Sequence, residues 1–537
     1  MSPPSAPATQ FPNPQPAVPR SIPKQHTAGS AAILLMISAL LSGLLGLVRI
    51  KYINYLFGAG IAQDAYRAAF KLPDLLAYFL VGSAASVSMI TMLNRFRERG
   101  DDDGADRALS VVLTTMLAAL AAVMVLAALA APLFVHVAYG DKFLHDARGP
   151  LCISLIRWLL PAQLFFFIGS MMSARLQVRK IFIYQSLTPV IYNGGIVLGA
   201  VLFHKAVVFG KPLGVYSLVI GVLAGVILGS ALLNTLGALR TGLHFHPRIA
   251  FRDPAFIEWL RAAAPLMIGV SLIMFDGIFF NRFAAGQVGQ LTLINNAKDL
   301  FNAPFNIIGP AAGTASLPFF ASLFQRKLAY DFSASVGRSV SRLFAVGLLV
   351  SAWMIALAPW IMDLLRGGRF NHADALEVTH LFRIFAVTLA IWAVQGIYAR
   401  AFYAAGNTVT PAIAGTAIVV LSLPVYWALF HTLGMTGLAL ASDIGICVQT
   451  AALAILLHKQ RLVSLAHLEF PELTRALLAA LVAYAATAAA AHFLPPVSTY
   501  RRDIFTIAAA SAAWAAAAVL TLLATGSKLP AQILRRR

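Results

Sequence analysis

Chemistry is first possible in the sequence at Leu41–Leu76, LSGLLGLVRIKYINYLFGAGIAQDAYRAAFKLPDLL. Arg49, Lys51, Asp64, Arg67 and Lys71 all fall within it, between long apolar runs. An ionisable side chain at membrane depth costs about 2.5–3.5 kcal/mol or more unless it faces protein or water. Four of the five are cations, so a helix pair carrying them is expected to line a wet chamber that accepts an anion. The competing placement is at helix ends, where a Lys or Arg head snorkels to the interface. That alternative weighs most on Lys51.

A second constellation is LINNAKDLFNAPFNIIGPAAGTASLP, Leu293–Pro318. Asn295, Asn296, Lys298, Asp299, Asn302 and Asn306 crowd one long apolar helix. Lys298 and Asp299 are adjacent, so they point about 100° apart on a helix and cannot neutralise each other side by side. At least one is expected to face a cavity or another helix; an interhelical hydrogen-bond seam is the alternative. Asp276, in MIGVSLIMFDGIFF, and Asp443, in LALASDIGICV, are lone acids in apolar runs. A lone carboxylate in hydrocarbon needs a proton, a cation or a basic partner. These two are expected to face one another and to hold Na+ or a proton. Arg157 and Arg383 are either partners for such acids or snorkelling residues.

Enzyme signatures are missing. The sequence has no phosphate-cradling P-loop, no HExxH, no GxSxG and no Cys/His metal cluster. An enzyme is not expected, nor is a cofactor beyond a coupling Na+ or H+. With no ATP site, transport would be secondary or partner-driven. The two cysteines, Cys152 and Cys447, lie in apolar runs and read as packing residues.

The elements that must position these residues follow from composition. Of 537 residues, 59% are hydrophobic and 12% charged, against about 25% charged in soluble domains. Apolar runs of about 20 residues follow one another, which predicts an all-α polytopic membrane protein of about fourteen helices. The runs are continuous, which excludes a transmembrane barrel. A net charge of +20 would suggest nucleic acid in a soluble protein; here the basic residues sit in short loops and set topology instead. With the amino terminus inside, roughly 24 basic residues fall in inner segments and about 9 in outer ones. Both termini are therefore expected in the cytoplasm, and nucleic acid is not an expected partner.

Residues 1–28, rich in Pro, Ser and Gln, read as a disordered tail. Two similar strings, SARLQVRKIFIYQSLTPVIYN (Ser173–Asn193) and YARAFYAAGNTVTPAIAG (Tyr398–Gly415), lie six helices apart. An even offset preserves orientation, so the repeat is parallel and predicts two pseudo-symmetric six-helix lobes, residues 29–240 and 254–460. Residues 241–253 join them, and 461–537 hold two further helices and a basic tail. The second and eighth helices contain Pro73, Pro304 and Pro310 and are expected to be broken, as in transporter sites.

Several of these segments resemble one family. FGAGIAQDAYRAAFKLPDLL (Phe57–Leu76) is similar to the FGAG-x-x-x-DAF-x-x-AFKLPNLL segment of the lipid II flippases, the MurJ (MviN) family of the MOP superfamily. PRIAFRD (Pro247–Asp253), GPAAGTASLP (Gly309–Pro318) and AFYAAGNTVTP (Ala401–Pro411) resemble its inter-lobe loop, the end of its eighth helix and a later turn. The resemblance implies a two-lobe transporter with a central cationic cavity, moving undecaprenyl-pyrophosphoryl peptidoglycan precursor between leaflets by alternating access, driven by membrane potential or a cation gradient. It places Ser42, Arg49, Asp64 and Lys71 at matching positions, with Arg67, Lys298 and Asp299 completing the substrate-binding set. Two arginines usual in the family are Gly43 and Ala77 here, an acid is Gly82, and an Asp-Arg pair is inverted as Lys298-Asp299. Asp276 matches an acid of a sodium site, and the eleventh helix offers no second one. The implied partners are the lipid-linked precursor, membrane lipids and cell-wall synthesis proteins, and the implied state is a monomer.

Overall fold

The computed structural model describes residues 27–77, 83–208, 210–493 and 500–530. Apolar content makes nearly every segment helical, and the ends are set by local chemistry. Helix α1 (Ala28–Phe57) starts where Thr27 Oγ1 accepts the Ser30 amide. It stops at Gly58, whose φ of 63° needs glycine. The next pass is divided into α2 (Ile61–Ala69), α3 (Lys71–Leu76) and α4 (Ser83–Glu98), the broken arrangement expected of the second span. After α5 (Asp102–Tyr139) and the short α6 (Asp141–His145) come α7 (Arg148–Leu159), α8 (Ala162–Val178) and α9 (Ile183–Phe203). A two-residue hairpin, β1 (Val207–Val208) and β2 (Lys211–Pro212), precedes α10 (Tyr216–Val226). A π-helical segment, Ile227–Leu232, leads into α11 (Leu233–Arg240).

The second half opens with α12 (Pro254–Ala284), capped by Asp253 with Pro254 in the first turn, where its missing N–H is harmless. Helix α13 (Gln290–Gln325) follows. It runs through Pro304, Pro310 and Pro318 without the expected break. Each proline forfeits one backbone bond, which a long buried helix tolerates when its neighbours hold it. Helix α14 (Ala329–Asp363) precedes α15 (His372–Val387) and α16 (Leu389–Ala404), which bend by 43° at Thr388. Helix α17 (Val409–Lys459) is two helices joined at a kink at Gly434. The last are α18 (Phe470–Phe493) and α19 (Tyr500–Ala524). Among the described residues nine helices are individually long and apolar enough to cross a membrane. Joining the divided passes and separating α17 at Gly434 gives fourteen passes.

Within the first half α9 packs on α1 and α10, and α4 on α8; within the second, α16 packs on α13 and α14, and α12 on α17. The halves meet where α12 lies on α4 and α5 and where α13 lies on α2. Helix α18 rests on α14 and α19.

The internal repeat is visible in detail. Helix α8 ends with Lys180 left-handed (φ 60°) and Ile181 N donating to Leu176 O (2.9 Å). Helix α16 ends with Gly406 left-handed (φ 77°) and Asn407 N donating to Phe402 O (3.0 Å), the same six-residue closure. Arg157 and Arg383 each donate Nε to a carbonyl of the preceding long helix, Ala128 O at 3.1 Å and Ile355 O at 3.2 Å. Neither pairs with an acid among the described residues. The linker after each half is strapped to that half's long helix. Along α5, Asp106, Ser110, Thr114 and Thr115 accept amides of His244, His246, Arg248 and Ala250. Along α14, Ser333 and Ser341 accept amides of Ser464 and Glu469. From Asp106 through Ser110 to Thr114 the match is geometric: four helical residues rise about 6 Å, close to the roughly 6.6 Å of two extended residues.

A lysine at a left-handed position carries a steric penalty that glycine lacks. Lys180→Gly is expected to stabilise the protein by about 1 kcal/mol, read as a raised unfolding midpoint in detergent. A fall in the midpoint would mean the Lys180 side chain has a contact that outweighs the backbone term.

Candidate functional site

The cations of the opening helix pair converge. Arg49, on α1, donates Nη1 to Asn193 Oδ1 of α9 at 2.9 Å. Asn193 Nδ2 in turn donates to Ser42 Oγ at 3.0 Å, so one amide bridges Ser42 and Arg49. Arg67, on α2, donates to Asp299 Oδ2 of α13 at 2.8 Å and to Asn296 Oδ1. Lys71 follows one turn later. Arg49, Arg67 and Lys71 line one cavity of about 310 Å³ with Asp74, Tyr192, Asn295 and Asp299. The chamber lies between α1–α3 and α9 on one side and α13 on the other. Its two carboxylates do not balance its three cations. Asp299 is committed to Arg67, whereas Arg49 rests on a neutral amide and Lys71 makes no ion pair among the described residues. Charge-assisted bonds to an entering oxyanion are the strongest interactions this chamber can form.

Asn54 Oδ1 accepts from Gln63 Nε2 (2.6 Å) and Asn296 Nδ2 (3.1 Å), tying α1, α2 and α13 together at one end of the chamber.

Three expected site residues are placed elsewhere. Asp64 is fully buried outside the chamber. It accepts the amides of Gly289 (2.7 Å) and Thr292 (2.9 Å) and the Thr292 hydroxyl (2.6 Å), and so caps α13. The helix dipole favours a carboxylate there. Lys298 points away from the chamber into the second half, with Nζ 3.3 Å from the Phe280 ring centroid and 5.7 Å from that of Phe385. Its divergence from Asp299 is the 100° step of adjacent helical residues. Lys51 is not among the residues lining the chamber; its Nζ donates to Leu364 O and, at 2.8 Å, to Arg366 O, just past the end of α14. Asp443 accepts the Thr388 hydroxyl at 2.7 Å and has the Lys298 charge nearby. The side chain of Asp276 lies outside the described residues, so the expected Asp276–Asp443 pair is not among the contacts described.

Sequence reasoning missed Arg148, which is fully buried at the start of α7. It donates to Asp146 Oδ2 (2.6 Å), Asp64 Oδ2 (3.3 Å) and Gln287 O (2.9 Å), and its guanidinium lies 4.6 Å from the Phe143 centroid. Burial pushes the Asp146 carboxyl up, but the bonds from Arg148 outweigh it and hold the group below the usual carboxylate range. This depressed value adds stability above the ordinary carboxylate pKa that is lost as pH falls through the folded value. No local pattern marks Arg148: its partner Asp64 is 84 residues away.

Asp64 and Arg148 belong to a seam that closes one end of the chamber. Arg369 N donates to Tyr55 O at 3.0 Å. Gly368 (φ 58°) has no room for a side chain, since a Cβ there would lie 2.1 Å from Tyr55 O. Gly368→Ala is therefore expected to prop this seam open, because the left-handed backbone alone costs about 1–2 kcal/mol before the overlap is counted. Thiol labelling of an Ala59→Cys reporter should speed up at least tenfold in the Gly368→Ala background; an unchanged rate would mean that the seam does not move. At the opposite end Arg95 pairs with Glu258, and the buried Trp259 donates Nε1 to Ala85 O at 3.1 Å, joining α4 to α12.

The family model described as "Lipid II flippase MurJ" matches residues 53–505. A "Lipid II flippase MurJ" of Burkholderia cenocepacia is 26% identical over 433 residues, covering 78% of this chain and 82% of that protein. A "Probable lipid II flippase MurJ" of Borreliella burgdorferi is 24% identical over 424 residues, covering 78% of this chain and 81% of that protein. Among solved structures, "Lipid II flippase MurJ, inward closed conformation" superposes with a TM-score of 0.73 at 18% identity, covering 91% of this chain and 99% of that one. A multidrug resistance MATE family transporter of the MOP superfamily, inward-facing, gives 0.64 at 16% identity, covering 80% and 98%.

Proposed function

The chain belongs to the lipid II flippase MurJ family, and from that premise we propose that it carries lipid II, an undecaprenyl-pyrophosphate-linked peptidoglycan precursor, from the inner to the outer leaflet. It is a multi-pass membrane transporter, and the family's work is transport. The observation that carries the reading on this chain is the chamber in which Arg49, Arg67 and Lys71 meet.

A diphosphate needs several charge-assisted donors, and this chamber offers them between the two halves. In the closed arrangement Asp299 occupies Arg67 and Asn193 occupies Arg49. Separation of α2 from α13 would split the Arg67–Asp299 pair and present Arg67 to the cargo. Phosphate oxygens then take the place of Asp299 and Asn193. A cavity of 310 Å³ cannot hold a whole glycan-peptide head group, so entry requires the halves to part. The polyprenyl tail stays in the hydrocarbon while the head group crosses. The Arg95–Glu258 and Asp64–Arg148 ends would open alternately by rocking of the halves.

The finer parts of the reading rest on charge placement. Basic residues concentrated in inner loops support a bacterial inner-membrane location with both termini in the cytoplasm. We infer a monomer that supplies cell-wall synthesis proteins with flipped precursor. The energy source we propose is a monovalent cation, and the residues that would take it are argued below.

Complementation tests the function. The wild-type chain should restore growth to a bacterium depleted of its own lipid II flippase, with external lipid II recovering alongside. Growth without recovery of outer-leaflet lipid II would instead point to a transport-inactive scaffold, and no growth at all would remove lipid II as the cargo.

A further inference from the structure

A second cavity, of about 480 Å³, lies wholly within the first half, among α3, α4, α8, α9 and the α10–α11 pass. It shares Phe70, Asp74 and Tyr192 with the cationic chamber, so these residues form the wall between the two. The cargo reading makes no use of it.

Among the described residues, two buried amide oxygens of its lining lack a donor. Gln163 is 4% exposed, and its Oε1 has no donor. Asn234 is 2% exposed, and its Oδ1 has none either. The orientation of Asn234 is fixed, because Nδ2 donates to Ser230 O (2.8 Å) and Thr188 Oγ1 (3.2 Å). Asp74 contributes a carboxylate for which no hydrogen bond is formed among the described residues. Ser86 and Ser170 pair with each other, and Ser173 donates to Gln185 (2.7 Å), so those hydroxyls are already engaged. Among the described residues no lysine or arginine lines this cavity. Ser230 stands on the π-helical segment Ile227–Leu232, and single π turns are frequent at functional sites.

Buried acceptors left unmade are unfavourable, and a carboxylate at membrane depth favours positive charge beside it, of which Lys71, one turn earlier on α3, supplies part from the chamber side. One small cation answers both demands. An all-oxygen ligand set selects a hard ion. A single carboxylate balances a single charge, and no group of three or more His, Cys, Asp or Glu side chains suited to a metal occurs among the described residues.

We propose that the first-half cavity is a Na+ site, with Asp74 supplying the charge and the side-chain oxygens of Gln163 and Asn234 serving as neutral ligands, directly or through water. Its position gives it a consequence. Helix α3 carries Lys71 into the chamber and Asp74, one turn on, into the shared wall. A cation beside Asp74 cancels the field that otherwise holds Lys71 back from an anion. Cation and diphosphate then favour each other's binding, and the linkage is reciprocal. This second step rests on the cargo reading; the binding of Na+ does not.

The test is ²²Na+ binding to the purified full-length protein at pH 8, with choline chloride holding ionic strength constant. A saturable site is expected in the wild type. Asp74→Asn should reduce the stoichiometry by one Na+ per chain and remove the matching Na+-dependent rise in unfolding midpoint. Asparagine is the residue the family segment carries at this place, so the variant is expected to fold. Gln163→Leu should keep the stoichiometry but weaken affinity tenfold or more. Undiminished stoichiometry in Asp74→Asn overturns the proposal, whatever happens to transport. So does a wild type that binds no ²²Na+, even if Asp74 titrates with a proton alone. If Na+ binds as expected while lipid II fails to bind, the cargo reading falls and the cation site stands.

Discussion

Arg49→Ala is expected to weaken binding of a short-chain lipid II analogue by about 10- to 150-fold, the equivalent of the roughly 1.5–3 kcal/mol of a hydrogen bond to a charged group. Arg49 is the residue to choose because of what it does not do. Among the described residues it pairs with no carboxylate and rests on the neutral Asn193 amide, so no acid there engages its charge. Arg67 has to leave Asp299 before it can meet cargo, which dilutes the effect of removing it. Arg49→Lys should fall between wild type and alanine, because an ammonium keeps the charge but loses the planar fork that grips two phosphate oxygens. Titration of the analogue in detergent checks this. An affinity within twofold of wild type for Arg49→Ala would remove Arg49 from the binding set.

Asp64→Ala is expected to have the largest effect on conformation. The carboxylate accepts two amides and a hydroxyl at the start of α13 and also meets Arg148. Removing it strands those donors and leaves a fully buried guanidinium with only Asp146 opposite. Breaking a buried pair in this way costs about 3–5 kcal/mol, roughly two to four orders of magnitude in an equilibrium constant. The closed state of that seam should therefore lose its predominance. Spin labels at Lys205 and His372, on the two halves, should show a longer and broader distance distribution in Asp64→Ala. Asp64→Asn should be milder, since an amide oxygen still accepts. An unchanged distribution in Asp64→Ala would show that the seam is held by the backbone contacts around Gly368 and not by this carboxylate.

Much of this site was legible because charge in an apolar stretch is rare and has few physical outcomes. Arg49, Arg67 and Lys71 could be assigned to one wet chamber from that argument alone. The argument breaks down where direction matters. Adjacency established that Lys298 and Asp299 diverge but could not say which one faces the chamber; α13 turns Asp299 towards it and Lys298 onto Phe280. Asp64 shared its segment with the chamber cations, yet its partners lie 84 residues away at Arg148 and 225 or more at Gly289 and Thr292, beyond the reach of any local pattern. Prolines suggested a broken eighth span, but Pro304, Pro310 and Pro318 are carried within a continuous helix.

The repeat offered more than was first read from it. Pro132, Gly140 and Phe143 recur at the same spacing as Pro359, Gly367 and Phe370. Both phenylalanines are buried and both glycines have positive φ. The polar ladders that strap each linker, Asp106 to Thr115 and Ser333 to Ser341, carry no motif of their own in the sequence. Only the path of the linkers gives them a role.

Native mass spectrometry of the full-length protein, released from membranes rich in lipid II, tests the central claim most directly. The wild type should carry one diphosphate-bearing polyprenyl lipid per chain, and Arg49→Ala/Lys71→Ala should lose it while keeping its ordinary phospholipids. Equal retention of the diphosphate lipid by the double variant would contradict a chamber built to grip that group.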